Sequence, residues 1–340
     1  MFPLGGNHAV ERIRRPYQQA ATSTIRADRI IWIAPSFFFL LLRSPFPPSF
    51  PALLLTTIVF DRLAVQAQYL LPKKTLTVLA GRFATRPRGS LTTRVIRGFI
   101  KRYGVDMNEA ANPDPAAYAT FNDFFTRPLR ADARPLADAD FVCPVDGAIS
   151  QFGRIERDQI FQAKGHRYTT QALLGGDRQL ASCFDDGEFA TLYLSPRDYH
   201  RIHMPAEGRL RRMIHVPGEL FSVNPATARG VPGLFARNER VVCVFQAGEI
   251  LFVIVLIGAT IVGSMATVWH GTVNPSHSAQ LSEWRYDSQQ IILGKGQEMG
   301  RFLLGSTVVL LFPKTTICFD STWQAGKTVR MGEPMAERSR

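Results

Sequence analysis

Gly300–Phe312 reads GRFLLGSTVVLLF. Its apolar, β-branched and aromatic residues describe a buried β-strand, and the small, polar Gly305-Ser306-Thr307 step interrupts it. A glycine inside a strand pattern marks a bulge or a close backbone approach, so a strand distorted at its centre is expected here. Around it, from Phe141 to about Val329, short Val/Ile/Leu/Phe runs alternate with Gly, Pro, Asn and Asp, the pattern of β-structure. Glu249–Met265, EILFVIVLIGATIVGSM, has the look of a membrane span. Its β-branched residues and its breaks at Gly258, Gly263 and Ser264 fit two buried strands better.

The chain has 340 residues, 46% hydrophobic and 20% charged, enough to bury one substantial core with or without a small appendage. That composition excludes a disordered protein. A formal net charge of +12 and a pI near 10.0 call for an acidic partner, either nucleic acid or an anionic membrane surface. The four cysteines, Cys143, Cys183, Cys243 and Cys318, are far apart and form no CxxC pair. Neither a zinc knuckle nor a disulfide framework is indicated, and reduced, mostly buried thiols are expected.

Most of the information about partners lies upstream. Ile30–Leu42, IIWIAPSFFFLLL, is shorter than the roughly 20 apolar residues of a spanning helix, and extending it to Phe60 adds Arg43 and four prolines. Residues 1–62 therefore read as an apolar, Pro-rich extension: a membrane-associating segment or an upstream-extended start of the reading frame. From Leu71 to Val105 two short amphipathic helices are expected, with Leu76, Leu79 and Phe83 on one and Leu91, Val95 and Phe99 on the other. The same segment carries Lys73, Lys74, Arg82, Arg86, Arg88, Arg94, Arg97, Lys101 and Arg102, whereas Asp and Glu are missing up to Val105. Basic residues on apolar-faced helices describe an interfacial helix on anionic lipid; a helical pair packed on the core with a solvated basic face is the alternative. Nucleic acid is disfavoured because no recognition motif accompanies the charge. Asn112–Arg130 reads as a turn, a short helix and an extended exit. The expected fold is α+β: N-terminal membrane-facing amphipathic helices, then a mainly antiparallel β core. Its segments are 1–62, a helical membrane-association segment 63–130, and a β-rich catalytic domain 131–340.

Three stretches of the β-rich part carry chemistry. CPVDGAIS places Asp146 in a Pro-Val-Asp-Gly turn, where a carboxylate commonly bonds its own backbone. YLSPRDYHRIHMP, Tyr193–Pro205, crowds Arg197, Asp198, His200, Arg201 and His203 together. The two histidines have the spacing for a metal, but no further ligands stand nearby, so no metal is assigned and acid-base work is favoured over exposed structural histidines. GKGQEMGRFLLGST brings several glycines up to Ser306. A serine directly after a glycine can attack the preceding carbonyl through a five-membered ring, given a base and a distorted backbone. Asp146, His203 and Ser306 are candidates for such a triad.

Taken in order, PVDG, YLSPRDYHRIHMP, VPGELFSVNP, GLFARNERVV, IGATIVGSMATVW, KGQEMGRF and LGST resemble the phosphatidylserine decarboxylase family, specifically its bacterial membrane-bound members. The resemblance runs from near Leu63 to about Glu333; the extension before it and a short, featureless tail lie outside. It implies a proenzyme that cleaves its own Gly305-Ser306 bond by an N-to-O acyl shift and β-elimination, leaving a pyruvoyl group, derived from Ser306, as covalent cofactor. By resemblance Asp146 orients His203, His203 is the base for Ser306, and His200 assists decarboxylation. The pyruvoyl ketone condenses with the amine of phosphatidylserine and takes up the electrons released with carbon dioxide, and phosphatidylethanolamine leaves. The implied partners are phosphatidylserine, an anionic membrane surface, the large and small chains of one proenzyme, and a second copy in a homodimer. The implied location is the cytoplasmic side of the cell membrane, peripherally bound. A serine hydrolase acting on lipid without processing is the rival reading, although a GxSxG elbow is missing.

Overall fold

A computed structural model describes residues 65–66, 68–260, 265–274, 278–303 and 306–339; the extension expected over 1–62 lies outside them. Helices α1, Lys73–Ala84, and α2, Ser90–Tyr103, follow the apolar spacing. Gly104 ends α2 with a φ of 66°, a left-handed conformation that glycine adopts at no steric cost, and its amide caps the Ile100 carbonyl. The Asn112–Arg130 stretch forms a single turn at Pro115–Ala117 and then helix α3, Phe121–Phe125, opened by a reciprocal Thr120/Asp123 capping box. Rings lock α3 to α2: Phe99 lies 5.2, 5.9 and 6.1 Å from Phe121, Phe124 and Phe125.

The rest is mainly antiparallel sheet, as expected, with short helices such as Arg178–Ser182 and Pro225–Gly230 between its strands. The largest has nine strands and runs Ser282–Arg285, Gly208–Val216, Arg240–Ala247, Ile250–Ile257, Ser306–Phe312, Glu188–Leu194, Gly147–Arg154 and Thr328–Val329, with Ile292–Leu293 also paired to Gly208–Val216. Ser306–Phe312 is therefore an interior strand, bonded along Ile250–Ile257 on one edge and Glu188–Leu194 on the other. Both faces of the sheet are covered. Val308, Leu310 and Phe312 point into a core with Phe141, Phe252 and Met335, while Val309 and Leu311 point into a second core with Phe184, Phe189 and Val253. Burial on both faces is why VVLLF is continuously apolar and does not alternate. The same holds for Ile250–Ile257, so the supposed membrane span supplies a buried strand, and Met265–Thr267 supplies another. No helix among the described residues is long and apolar enough to cross a membrane.

The opening stretch is corrected in one respect. Glu298–Phe302 belongs to a separate four-stranded sheet, ordered Gly271–Val273, Met265–Thr267, Glu298–Phe302, Arg201–His203. The stretch thus supplies two strands of different sheets, one ending at Phe302 and one beginning at Ser306, in place of one strand interrupted at its centre. The tail after Glu333 is also structured, since Pro334–Arg338 pairs with both Phe141–Val142 and Ile317–Phe319. All four cysteines are free, but only Cys143 and Cys243 are buried, because Cys183 and Cys318 lie toward the surface.

Phe312 closes the interior strand and packs 5.3 Å from Phe141 and 6.0 Å from Phe252, ring to ring. Truncation to alanine leaves a cavity that neighbouring strands cannot fill. Phe312→Ala is expected to lower unfolding free energy by about 3–5 kcal/mol, read from the urea midpoint; a loss below about 1 kcal/mol would show that this strand is not the packing centre.

Candidate functional site

The end of the nine-stranded sheet at which Ser306 begins gathers the three chemical stretches. Ser306 pairs with Leu194, Thr307 with Ile257, and Ala148 with Tyr193. The approach of the strands there requires a glycine next to Asp146, since a Cβ on Gly147 would sit 2.4 Å from the Tyr193 carbonyl oxygen. Strand Arg201–His203 enters from the smaller sheet, and the His203 amide donates to the Pro144 carbonyl at 2.9 Å, so the histidine run and the PVDG turn are joined through backbone. Residues 304 and 305 and the side chain of Ser306 lie outside the described residues; of the expected cleavage point, the described part is the Ser306 backbone at the head of its strand.

Both histidines are neutral and of defined tautomer. A carbonyl only accepts, so His203 Nδ1, 2.8 Å from the Gly296 carbonyl, carries the proton, and Nε2 accepts from the Tyr199 hydroxyl at 2.9 Å. Burial holds His203 below the ordinary imidazole range and pushes the Tyr199 phenol up, keeping it a donor. His200 is fully buried under Phe125, ring centroids 4.1 Å apart, and its Nδ1 donates to the Asp198 carbonyl at 2.7 Å. Desolvation pushes its pKa down to about 3, and the charge of Arg127 adds to this. Its Nε2 carries a lone pair with no hydrogen-bond partner among the described residues.

Asp146 is buried too, but its carboxylate is engaged elsewhere. Arg134 Nε donates to Oδ1 at 2.9 Å and Arg134 Nη2 to Oδ2 at 2.5 Å, while the Met331 amide donates to Oδ1 at 2.9 Å. Arg134 also reaches Glu109 at 2.6 Å, and Glu109 reaches Arg330 at 3.0 Å. Its bond to Arg134 leads the causes that hold the Glu109 carboxyl below the usual range. No hydrogen bond joins Asp146 to His203 among the described residues. A two-pronged, charge-assisted bond to guanidinium outcompetes a neutral imidazole N–H for the same oxygens. Asp146 reaches His203 through space, raising its basicity slightly against the effect of burial. The sequence reading passed over Arg134, Glu109 and Tyr199. Arg134 and Glu109 stand in unremarkable polar stretches; Tyr199 stood inside the histidine run, four residues before its partner.

Asp146, Asp198, Tyr199, Arg127, Arg134 and Arg330 line a cavity of 250 Å³ beside this end of the sheet. Within the site, the hydroxyls of Ser195 and Thr307 and the Nε2 of His200 are buried without partners. Buried polar atoms of this kind call for a polar group to bond. The two hydroxyl donors near the head of the Ser306 strand suit a carbonyl carried at that position, and the Nε2 lone pair of His200 suits a donor, such as an amine brought to that carbonyl.

The titration of His200 has a measurable consequence. Its folded-state pKa, near 3, lies below the 6.5 of a free imidazole, so the unfolded chain binds more protons between these values. Stability is therefore complete above about pH 6.5 and falls on acidification, by up to about 1.4 kcal/mol per pH unit for this one group. Urea unfolding of wild type and His200→Asn from pH 7 to pH 4 is expected to give the flatter profile for the variant; parallel profiles would mean that His200 is not held neutral by burial.

Comparison with known proteins accounts for this assembly. Residues 121–337 match the family model described as phosphatidylserine decarboxylase, and residues 63–104 match a second described as PSD. A phosphatidylserine decarboxylase proenzyme of Azoarcus sp. (strain BH72) is 73% identical over 277 residues, covering 82% of this chain and 96% of that protein. One of Dechloromonas aromatica (strain RCB) is 68% identical over 279 residues, covering 82% and 99%. With the residues of the site falling inside a match of this extent, the chain belongs to the phosphatidylserine decarboxylase family.

Proposed function

We propose that this chain is a proenzyme that cleaves itself between Gly305 and Ser306 and then converts phosphatidylserine to phosphatidylethanolamine and carbon dioxide with the pyruvoyl group so formed. The observation that supports the scission point is the change of sheet between Phe302 and Ser306, near the buried His200 and the half-buried His203, both held neutral. In this reading the Ser306 hydroxyl attacks the Gly305 carbonyl carbon, the peptide C–N bond breaks as the ester C–O bond forms, and elimination releases Gly305 as a carboxylate. Water then displaces ammonia from the resulting dehydroalanine. His203 receives the Ser306 proton on Nε2, the atom its tautomer leaves with a lone pair, and Tyr199 gives way as it does so. The assembly of Asp146, Arg134, Glu109 and Arg330 supports a second duty for Asp146, because Arg330 and Met331 would lie on the small chain, where the Asp146 carboxylate holds the Met331 amide and Glu109 holds Arg330.

Ser306 would carry the pyruvoyl group at the head of its strand, with Ser195, Thr307 and His200 as its polar surroundings. Its ketone supplies an electron sink for the bond that releases carbon dioxide. His200, neutral with Nδ1–H committed to Asp198, has no proton to give from Nε2 at the start. It takes one from the substrate ammonium, which must lose a proton to become a nucleophile, and returns it to the carbon that loses carbon dioxide.

The reading extends to the membrane surface. Helix α1 leaves Leu76, Leu79 and Phe83 exposed at 37%, 56% and 36%, beside exposed Arg82, Arg86 and Arg88. An apolar stripe flanked by arginines supports a helix lying on anionic lipid with the protein bound peripherally. Lys73 drops out of that surface: its ammonium stands 4.2 Å over the Phe221 ring and 3.5 Å from Glu219, so it fastens α1 to the β domain. Segment 63–130 then serves as the platform and 131–340 as the catalytic body.

Two experiments test these parts separately. Purified wild type is expected to yield a chain of residues 306–340, roughly 4 kDa, that resists Edman degradation because its pyruvoyl end has no amine. His203→Ala is expected to accumulate uncleaved chain and His200→Ala to cleave but turn over at least about 100-fold more slowly. Complete scission in His203→Ala reassigns the base, and a wild type that decarboxylates as one intact chain refutes self-processing. For the surface, Leu79→Ser with Phe83→Ser is expected to weaken vesicle binding about tenfold or more, and Arg82→Gln with Arg86→Gln to remove the preference for anionic vesicles, both with normal scission. Wild-type vesicle affinity in both variants would move the membrane surface elsewhere.

A further inference from the structure

Arg127, two residues beyond the end of α3, is a buried cation without a carboxylate partner among the described residues. It is 4% exposed, and desolvation lowers its pKa. The acidic groups around it are spent: Asp146 on Arg134, Glu109 on Arg134 and Arg330, and Asp198 on the Ser195 amide and Arg197. Asp106, also on the cavity wall, is exposed and caps the Asn108 amide. The Arg127 Nε has no hydrogen-bond partner among the described residues, and Nη2 makes a long contact, 3.5 Å, with the Arg197 carbonyl. Its guanidinium rests 5.4 Å from the centre of the Phe124 ring and lines the 250 Å³ cavity. A charge held this far from water with donors unspent is stable when a ligand brings the anion.

The place of Arg127 in the fold indicates which anion. Helix α3 packs on α2 through Phe99 and on His200 through Phe125, so Arg127 stands between the elements read as lipid-facing and the reacting end of the site. In phosphatidylserine the phosphodiester lies between the glycerol, which carries the acyl chains, and the serine, whose amine and carboxylate react. A cation on the carboxylate would oppose the reaction, because decarboxylation disperses that charge and the starting state alone would be stabilised. A cation on the phosphodiester holds starting and transition states alike and fixes the register of the headgroup. We propose that Arg127 grips the phosphodiester of the substrate headgroup and selects phosphorylated over free serine. The assignment rests on the decarboxylase reading above.

The full chain is compared with Arg127→Gln and Arg127→Lys, using short-chain phosphatidylserine as substrate and two soluble inhibitors. Glycerophosphoethanolamine has the phosphodiester without the carboxylate; L-serine has the carboxylate without the phosphodiester. In Arg127→Gln, scission and pyruvoyl content by mass are expected to be normal, and kcat to stay within about threefold. KM and the inhibition constant for glycerophosphoethanolamine are expected to rise about tenfold to a hundredfold, the value of a hydrogen-bonded charge, with inhibition by L-serine unchanged and partial recovery in Arg127→Lys. An unchanged constant for glycerophosphoethanolamine, or an equal loss against both inhibitors, overturns the proposal. If Arg127→Gln does not fold, Arg127→Lys decides, since the ratio of the two inhibition constants must still shift against the phosphodiester. Failure of wild type itself to process or to release carbon dioxide would strike the underlying reading and not this one.

Discussion

Strand Ser306–Phe312 is hydrogen-bonded along both edges and buried on both faces. Such a strand cannot shift without breaking two ladders and opening two cores, so its first residue is held in place by the whole sheet. That constraint suits the role proposed for Ser306, as the first residue of a new chain. Breaking one bond before Ser306 removes no ladder partner from the strand, and the new end stays positioned by Leu194 beside it. Of the short strands that follow, Thr328–Val329 pairs with Gly147–Arg154, and Pro334–Arg338 pairs with Phe141–Val142 and carries Ile317–Phe319 on its other edge, contacts that would hold residues 306–340 in place after the proposed scission.

Burial sets the proton chemistry around this fixed point. His200 and His203 each spend Nδ1–H on a backbone carbonyl and present Nε2 as a lone pair. In water either imidazole would be partly charged near neutral pH; here desolvation keeps both neutral and able to accept. The carboxylate expected to steer them is instead drawn into a lattice with two arginines and Glu109. Asp146 therefore acts on His203 by its field, and on the backbone of 330–331 by direct contact.

Aromatic rings connect this chemistry to the helices. Phe99 of α2, the phenylalanines of α3, and His200 form one contiguous packed path. Arg127 leaves α3 directly after this path, which is why its charge is both buried and felt at His200.

Much was legible in the sequence. Local pattern determined the two amphipathic helices, the buried strands and the turn and short helix within Asn112–Arg130, because each depends on neighbours within a few residues. The motif run marked Asp146, His200, His203 and Ser306, because residue types suited to proton transfer and self-attack are rare in such density. Tertiary structure alone decided three things. The strands ending at Phe302 and beginning at Ser306 belong to different sheets, since sheet membership depends on partners distant in sequence. Asp146 bonds Arg134 and not His203, since competition for a carboxylate is settled by which donors arrive in space. Arg127 is left without a counter-ion among the described residues, and Lys73 is turned onto Phe221 and Glu219, because the sequence records a charge but not what surrounds it.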